Sequence, residues 1–484
     1  MKIELVFIPS PGIGHMRSTT AMAKLLIDSD DRVSVTLIVI PSQHSGNVSS
    51  SNISSVYTES KSRLHYCHLS TGDRPTEQTF ISYIDSRKPL VRAIVSELAS
   101  EVSTRSDSSR LAGIVVDMFC TSMIDIADEF GLPAYTFYTS NTSYLGLQFH
   151  VQSLYDEKKL DVSELKDSDA EFDVPTLTRP FPVKCLPYVM LSKEWFPYVL
   201  NRARSLRDTK GILVNSVAEV EPEAVKFFSG ENMNTPPVYA VGPIIDFKTD
   251  SKDSDDEKSS EILRWLDEQP SNSVVFLCFG SMGGFSEVQA REIAVALERS
   301  GHRFLWSLRQ ASPVAGCPPG EFKNLEEILP EGFLDRTVEI GKIISWAPQV
   351  AVLENPAIGA FVTHCGWNSI LESLWFGVPM AAWPIYAEQQ FNAFHMVEEL
   401  GLAAEIRKDY RRDFFSGTGE IVTAVEIVTA EEIERGIKCA MEQDSKLRKR
   451  VKEVRDKLHL ALMDGGSSNA ALRKFVQDVV ENIP

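Results

Sequence analysis

Apolar residues along this chain cluster in short β-branched runs, each followed by a turn and then a helical pattern. Five runs fill the first half, at 4–10, 33–40, 112–117, 133–140 and 211–216, and five fill the second, at 274–281, 302–309, 341–348, 358–364 and 379–386. They are apolar almost throughout rather than at alternate positions. That predicts strands buried on both faces, as in parallel sheets covered by helices. The stretch 244–260, IIDFKTDSKDSDDEKSS, breaks the series because it is acidic and nearly free of core residues. It reads as a linker between two doubly wound α/β domains, 1–243 and 261–466, that face each other across a cleft. Ligands of such sheets bind beyond the carboxyl ends of the strands, so the cleft is the expected site. Gly465 and Gly466 precede a final helix, 467–484, expected to pack back on the first domain. Ser286-x-x-Gln289 and Thr429-x-x-Glu432 read as helix starts, and EIVTA at 420–424 and 426–430 as a local duplication.

Composition narrows the function classes. The 484 residues are 43% hydrophobic, enough for large cores. A net charge of −18 disfavours nucleic-acid binding, although a local anion pocket remains open. The seven cysteines are scattered and form no CxxC, which fits a reducing compartment and argues against a zinc cage. The sequons at Asn47, Asn52 and Asn141 then read as chance. No apolar run approaches the ~20 residues of a membrane helix, and the opening MKIELVFIPSPGIGH reads as a strand and glycine turn rather than a signal peptide. The expectation is a cytoplasmic protein without stable membrane insertion.

The candidate chemistry lies at the ends of these strands. His15 follows Gly12 and Gly14 where the first strand hands over to the first helix, a place from which an imidazole can take a proton from a substrate hydroxyl. Arg17 stands where a dinucleotide-binding GxGxxG needs its third glycine, which argues against a nicotinamide enzyme. Asp117 ends the buried strand IVVD and could reach His15, or could simply cap the next helix. Ser281 lies in a small-residue turn after VVFLCFG, suited to an anion. Residues 346–389 hold four of the seven tryptophans. Within them Trp346 can offer a flat face to a base, and His364, Asn368 and Ser369 surround a helix N-terminus that favours a phosphate. Glu372 can accept from a ribose diol, and Glu388 with Gln389 suits the hydroxyls of a hexose.

These residues carry a resemblance. The 44 positions from WAPQ through HCGWNS to EQ resemble the signature of the plant family 1 UDP-dependent glycosyltransferases, and the similarity extends over essentially the whole chain, including GxGH, VVDMFC, FGSMGGF and DGGSS. The nearest group is the plant glucosyltransferases acting on phenolics, flavonoids, lignans and abscisate. The resemblance implies a GT-B fold with the donor in the C-terminal domain and the acceptor in the N-terminal one. It implies His15 as general base with Asp117 as its partner, and Trp346 stacking on uracil with Ala347 beside it. It also implies ribose contacts by Gln349 and Glu372, and diphosphate contacts by Ser281, His364, Asn368 and Ser369. Trp367, Tyr386, Glu388 and Gln389 are implied at the sugar, with glucose the donor sugar commonly associated with a final Gln. Two departures stand out: Ser18, where many relatives carry Pro, and the EIVTA duplication. Neither is expected to touch a matched site residue.

The activity expected is inverting transfer of glucose from UDP-glucose to a hydroxyl of a small plant metabolite, with no metal and no further cofactor. UDP-galactose or UDP-xylose as donor, and abscisate or a terpenoid as acceptor, stay open, as does a nucleotide-sugar binding protein without turnover. Phe119, Phe137, Tyr138, Tyr144 and Phe149, with Met282 across the cleft, are candidates for an aromatic acceptor wall, or for core. A monomer is expected.

Overall fold

The computed structural model describes residues 2–42, 63–69, 79–104, 109–166, 168–230, 235–247, 256–312, 317–411 and 426–483. The first sheet is built from β1 (Lys2–Ile8), β2 (Val33–Val39), β3 (Leu64–His68), β4 (Ser109–Asp117) and β5 (Ala134–Tyr138). After a small antiparallel pair, β6 (Glu171–Phe172) and β7 (Phe181–Pro182), it is completed by β8 (Ile212–Val214) and β9 (Val238–Ala240). The second comprises β10 (Val274–Cys278), β11 (Arg303–Ser307), β12 (Gly341–Ile344), β13 (Ile358–Thr363), β14 (Met380–Ala382) and β15 (Ala403–Glu405). The orders are β3-β2-β1-β4-β5-β8-β9 and β12-β11-β10-β13-β14-β15, with every pairing parallel. Each sheet therefore reverses its winding beside its first strand, between β1 and β4 and between β10 and β13. Those two switch points are where such sheets open a crevice.

All ten apolar runs form strands. In the two parallel sheets β3, β9 and β15 lie outside them, and all three are sheet edges. β3, LHYCH, is only partly buried, and the other two have three residues each, so none needs a long apolar run. The Asp256–Asp267 helix takes up the end of the expected 244–260 linker. Residues 248–255, the first EIVTA copy, Asn47 and Asn52 lie outside the described residues. Thr429 and Glu432 close a reciprocal capping box, and Ser286 caps the Glu287–Ser300 helix.

The final helix, Ser467–Glu481, lies on the first sheet. Its Leu472, Phe475, Val476 and Val479 share a core with Ile3, Leu5, Leu26 and Tyr239. Among the described residues no helix is long and apolar enough to cross a membrane.

Candidate active site

β1 ends at Ile8, and the Ile13–Ser29 helix begins after four intervening residues, placing His15 in its first turn. β4 runs alongside β1 with Ile8 opposite Val116, so Asp117 projects beside that turn. His15 Nδ1 lies 2.7 Å from Asp117 Oδ2 and 3.0 Å from Thr139 Oγ1. The other carboxylate oxygen accepts from the Phe119 amide at 2.9 Å. Asp117 is therefore doubly held and fully buried, while the His15 side chain keeps 27% of its surface open to the cleft. Burial alone would lower the imidazole pKa, but the charge and hydrogen bond of Asp117, helped by Glu388, outweigh it and hold it above the ordinary value. With Nδ1 turned to the carboxylate, Nε2 is the atom left for substrate.

Across the cleft, β13 ends at Thr363 and leads into the Trp367–Phe376 helix, whose N-cap is Gly366. No side chain caps that end, so its first amides are available to an anion. Cys365 adopts φ of 62° there, in the left-handed region, and its carbonyl is fixed by Asn392 Nδ2 at 2.9 Å. The His364 ring sits between Gly280 and Gly366: a Cβ on either would come within 2.5 or 2.6 Å of its Nε2. Burial, and then the charge of Arg309, pushes His364 down to about 3, so the ring is neutral, and its Nδ1 has no partner.

Gln349, Ser369 and Glu372 form one cluster, with Gln349 Nε2 donating to Ser369 Oγ at 2.8 Å and to Glu372 Oε2 at 2.6 Å. Trp346 stands 54% exposed nearby, with Ala347 buried behind it. Gln389 spends its Oε1 on the Ile385 and Tyr386 amides, both at 2.9 Å. Glu388, at the N-cap position of the same short helix, accepts from Ser140 Oγ of the first domain at 3.3 Å.

Three partnerships escape the sequence. Arg309, which ends the run after β11, donates Nη1 to the Ser281 carbonyl at 3.0 Å and Nη2 to that of Gly280. It also lies 5.6 Å from the Trp346 ring. One buried cation thus pins the turn after β10 and backs the tryptophan face; an arginine closing an apolar strand was the available signal. Asn215, just past β8, accepts Trp367 Nε1 on its carbonyl at 2.5 Å. The Trp367 indole N–H is therefore committed to the first domain, which leaves the backbone amide of Trp367 for the expected sugar contact. Ser18 Oγ accepts from Asn368 Nδ2 at 3.0 Å. The expectation that Ser18 touches no matched residue is overturned: a serine hydroxyl can bridge to the Asn368 amide, which a proline ring cannot.

The aromatic wall divides. The Phe119 ring lies 5.1 Å from His15, and Tyr144 lies 5.4 Å from Phe391. Phe137 packs instead in the core beneath the sheet with Ile3, Leu5 and Tyr135. Phe149 packs against Phe228 and Arg207. Both are corrections to the acceptor wall. Tyr138 faces the Tyr144 side, and Met282 is half-buried in the turn after β10. Among the described residues no group of three or more His, Cys, Asp or Glu is placed to hold a metal ion, and the described cysteines are free. The sequon residue Asn141 is wholly buried, capping the Thr142–Lys158 helix.

Known proteins share this architecture. The sequence model described as UDP-glucoronosyl and UDP-glucosyl transferase matches residues 236–432. UDP-glycosyltransferase 71B1 of Arabidopsis thaliana is 75% identical, covering 100% of both chains. The chain belongs to the plant UDP-glycosyltransferase family. A UDP-glucose flavonoid 3-O-glucosyltransferase 6 from Fragaria ananassa is 48% identical over 98% of each chain. The crystal structure of Medicago truncatula UGT71G1 complexed with UDP-glucose superposes with a TM-score of 0.84 at 38% identity, covering 99% of this chain and 98% of that one. This UDP-glycosyltransferase is therefore an enzyme of GT-B fold that uses a UDP-sugar.

Proposed function

We propose that the enzyme transfers glucose from UDP-glucose, with inversion, to a phenolic hydroxyl of a flat plant metabolite such as a flavonoid or lignan. The observation carrying this is the His15–Asp117 pair at 2.7 Å, set opposite the uncapped helix end at Trp367. The flavonoid relative and the UDP-glucose complex of the Medicago protein support acceptor class and donor.

In this scheme the acceptor oxygen attacks the anomeric carbon from the side opposite UDP. Its O–C1 bond forms as the C1–O bond to the diphosphate breaks. The hydroxyl proton passes to His15 Nε2, and Asp117 stabilises the imidazolium. The electron pair leaves with UDP, whose growing charge meets the amides of residues 367–369, Asn368 Nδ2 and the neutral His364. Trp346 receives the uracil, Gln349 and Glu372 the ribose, and Glu388 with the Gln389 amide nitrogen the glucose hydroxyls.

The test is product mass after incubation with UDP-glucose, UDP-galactose or UDP-xylose and a panel of flavonols, lignans, simple phenols and abscisate, with His15→Ala alongside. Addition of 162 mass units (~, one hexose) from UDP-glucose, lost in the variant, is expected. Faster transfer from UDP-xylose would overturn the donor assignment, and addition to abscisate alone the acceptor class.

A further inference from the structure

Beyond Phe119 the acceptor side holds a charge that proton transfer does not use. Arg202, on the Phe196–Arg207 helix, is 4% exposed. Its guanidinium carbon lies 5.4 Å from the Phe119 ring centroid and 5.6 Å from that of Tyr198. Phe119 in turn lies 5.1 Å from the His15 ring, so one aromatic side chain separates the base from the buried cation. Arg202 Nε has no hydrogen-bond partner, and among the described residues no carboxylate stands within ion-pair distance of it. Gln148 is fully buried beside the Tyr138 hydroxyl, and neither its amide atoms nor that hydroxyl makes a well-aligned hydrogen bond. The Tyr144 phenol lies against both Gln148 and Arg202 and joins them into one polar cluster.

A desolvated guanidinium without an ion pair is unfavourable, and aromatic faces offset only part of that. A planar fork beside an amide and phenols whose mutual hydrogen bonds are poorly aligned matches a carboxylate, which accepts several hydrogen bonds at once. Glu388 is the carboxylate that couples to Arg202, and it is held toward the sugar side by Ser140.

We infer that Arg202, Gln148 and Tyr138 form a carboxylate-binding subsite of the acceptor pocket, so that preferred acceptors are aromatic hydroxy acids anchored by the acid group while a hydroxyl across the ring meets His15. This rests on the transferase reading proposed above. The acid is the anchor and the hydroxyl the nucleophile, because Phe119 stands between Arg202 and the base.

The experiment compares 4-hydroxybenzoate with its methyl ester as acceptors of the full-length enzyme with UDP-glucose, and includes kaempferol as an uncharged reference. The readout is the acid-to-ester ratio of kcat/KM. Arg202→Met is expected to lower that ratio at least about tenfold through the KM of the acid, and Arg202→Lys to restore part of it. An unchanged ratio in Arg202→Met, with kaempferol still glucosylated, overturns the subsite and leaves the transferase reading standing. Absence of hexose on all three acceptors overturns both. Should Arg202→Met lose UDP binding and so report misfolding, Gln148→Leu reads the same ratio, with a several-fold fall expected and no change contradicting the subsite.

Discussion

Ser18 sits one turn beyond His15 on the same helix, and its Oγ takes a 3.0 Å hydrogen bond from Asn368 Nδ2 across the cleft. The helix that carries the proposed base thus also orients an amide proposed for the diphosphate. Ser18→Ala removes one bond of about 1 kcal/mol, so the KM for UDP-glucose should rise by roughly two- to tenfold. Steady-state kinetics at saturating acceptor checks this; an unchanged KM would make the bridge incidental.

His15→Ala should reduce kcat by about 10²- to 10⁴-fold, the usual contribution of general-base catalysis. UDP binding, measured by calorimetry, should stay nearly unchanged because the hydrogen bonds and ring contact of His15 among the described residues, to Asp117, Thr139 and Phe119, all lie in the first domain. A kcat near that of the parent enzyme would remove the base assignment.

Asp117 sets the pH dependence. With His15 as the proposed base, activity needs the neutral imidazole, so kcat/KM should fall as pH drops through the imidazole pKa, which the carboxylate holds above its ordinary value against the opposing effect of burial. Asp117→Asn removes the raising charge and leaves the burial, so the acid limb should move to lower pH. The rate itself should fall by ~10²-fold or more as the imidazolium loses its partner. A pH–rate profile with an unmoved limb would contradict the coupling.

Arg309 fixes the turn after β10 through two carbonyls and faces Trp346. Arg309→Met should weaken UDP by about 10- to 100-fold, the range for charge-assisted hydrogen bonds. Uridine, which lacks the diphosphate, should lose much less. Competitive inhibition by both compounds separates the cases, and equal losses would place the effect at the tryptophan instead. Arg309→Lys should recover only part, since an ammonium cannot fork to both carbonyls.

Glu221 is buried between the domains, accepting from the Thr142 and Ser143 amides at 2.9 Å and lying 3.2 Å from His395 Nε2. Burial alone would raise its pKa, but the His395 contact and the hydroxyl and amide donors overcome that and bring it to about 2. Its folded pKa is depressed, so its stabilisation is present above the ordinary Glu range and disappears as pH falls toward about 2. Glu221→Gln should lower stability by about 3 kcal/mol near neutrality and flatten the acid dependence, read from denaturant midpoints between pH 3 and 7 (~).

The His15–Asp117 pair was legible in the sequence because Asp117 ends one strand of a parallel sheet and His15 opens the helix that follows its neighbour, and parallel neighbours bring such ends together. The helix start at Trp367 was legible for a similar reason. Phe137 and Tyr138 show where that reading stops. In a buried strand apolar on both faces nothing local fixes which parity faces which layer, and a one-residue error exchanges the core beneath the sheet for the core on its other face. On the Thr142–Lys158 helix, Tyr144 and Gln148 share a face one turn apart, whereas Phe149 is rotated toward Phe228. Arg309, Asn215 and Ser18 act through partners 28 to 350 positions away, where no local pattern can reveal them.

The last helix completes the hydrophobic core of the sheet that the chain built first, so the N-terminal domain is not one contiguous segment. Anyone recombining this enzyme with a relative to exchange acceptor preference has three pieces to handle rather than two. A hybrid spliced only between the sheets would seat Leu472, Phe475, Val476 and Val479 of one parent against Ile3, Leu5 and Tyr239 of the other. Inheriting the tail together with the amino-terminal half keeps that jigsaw intact.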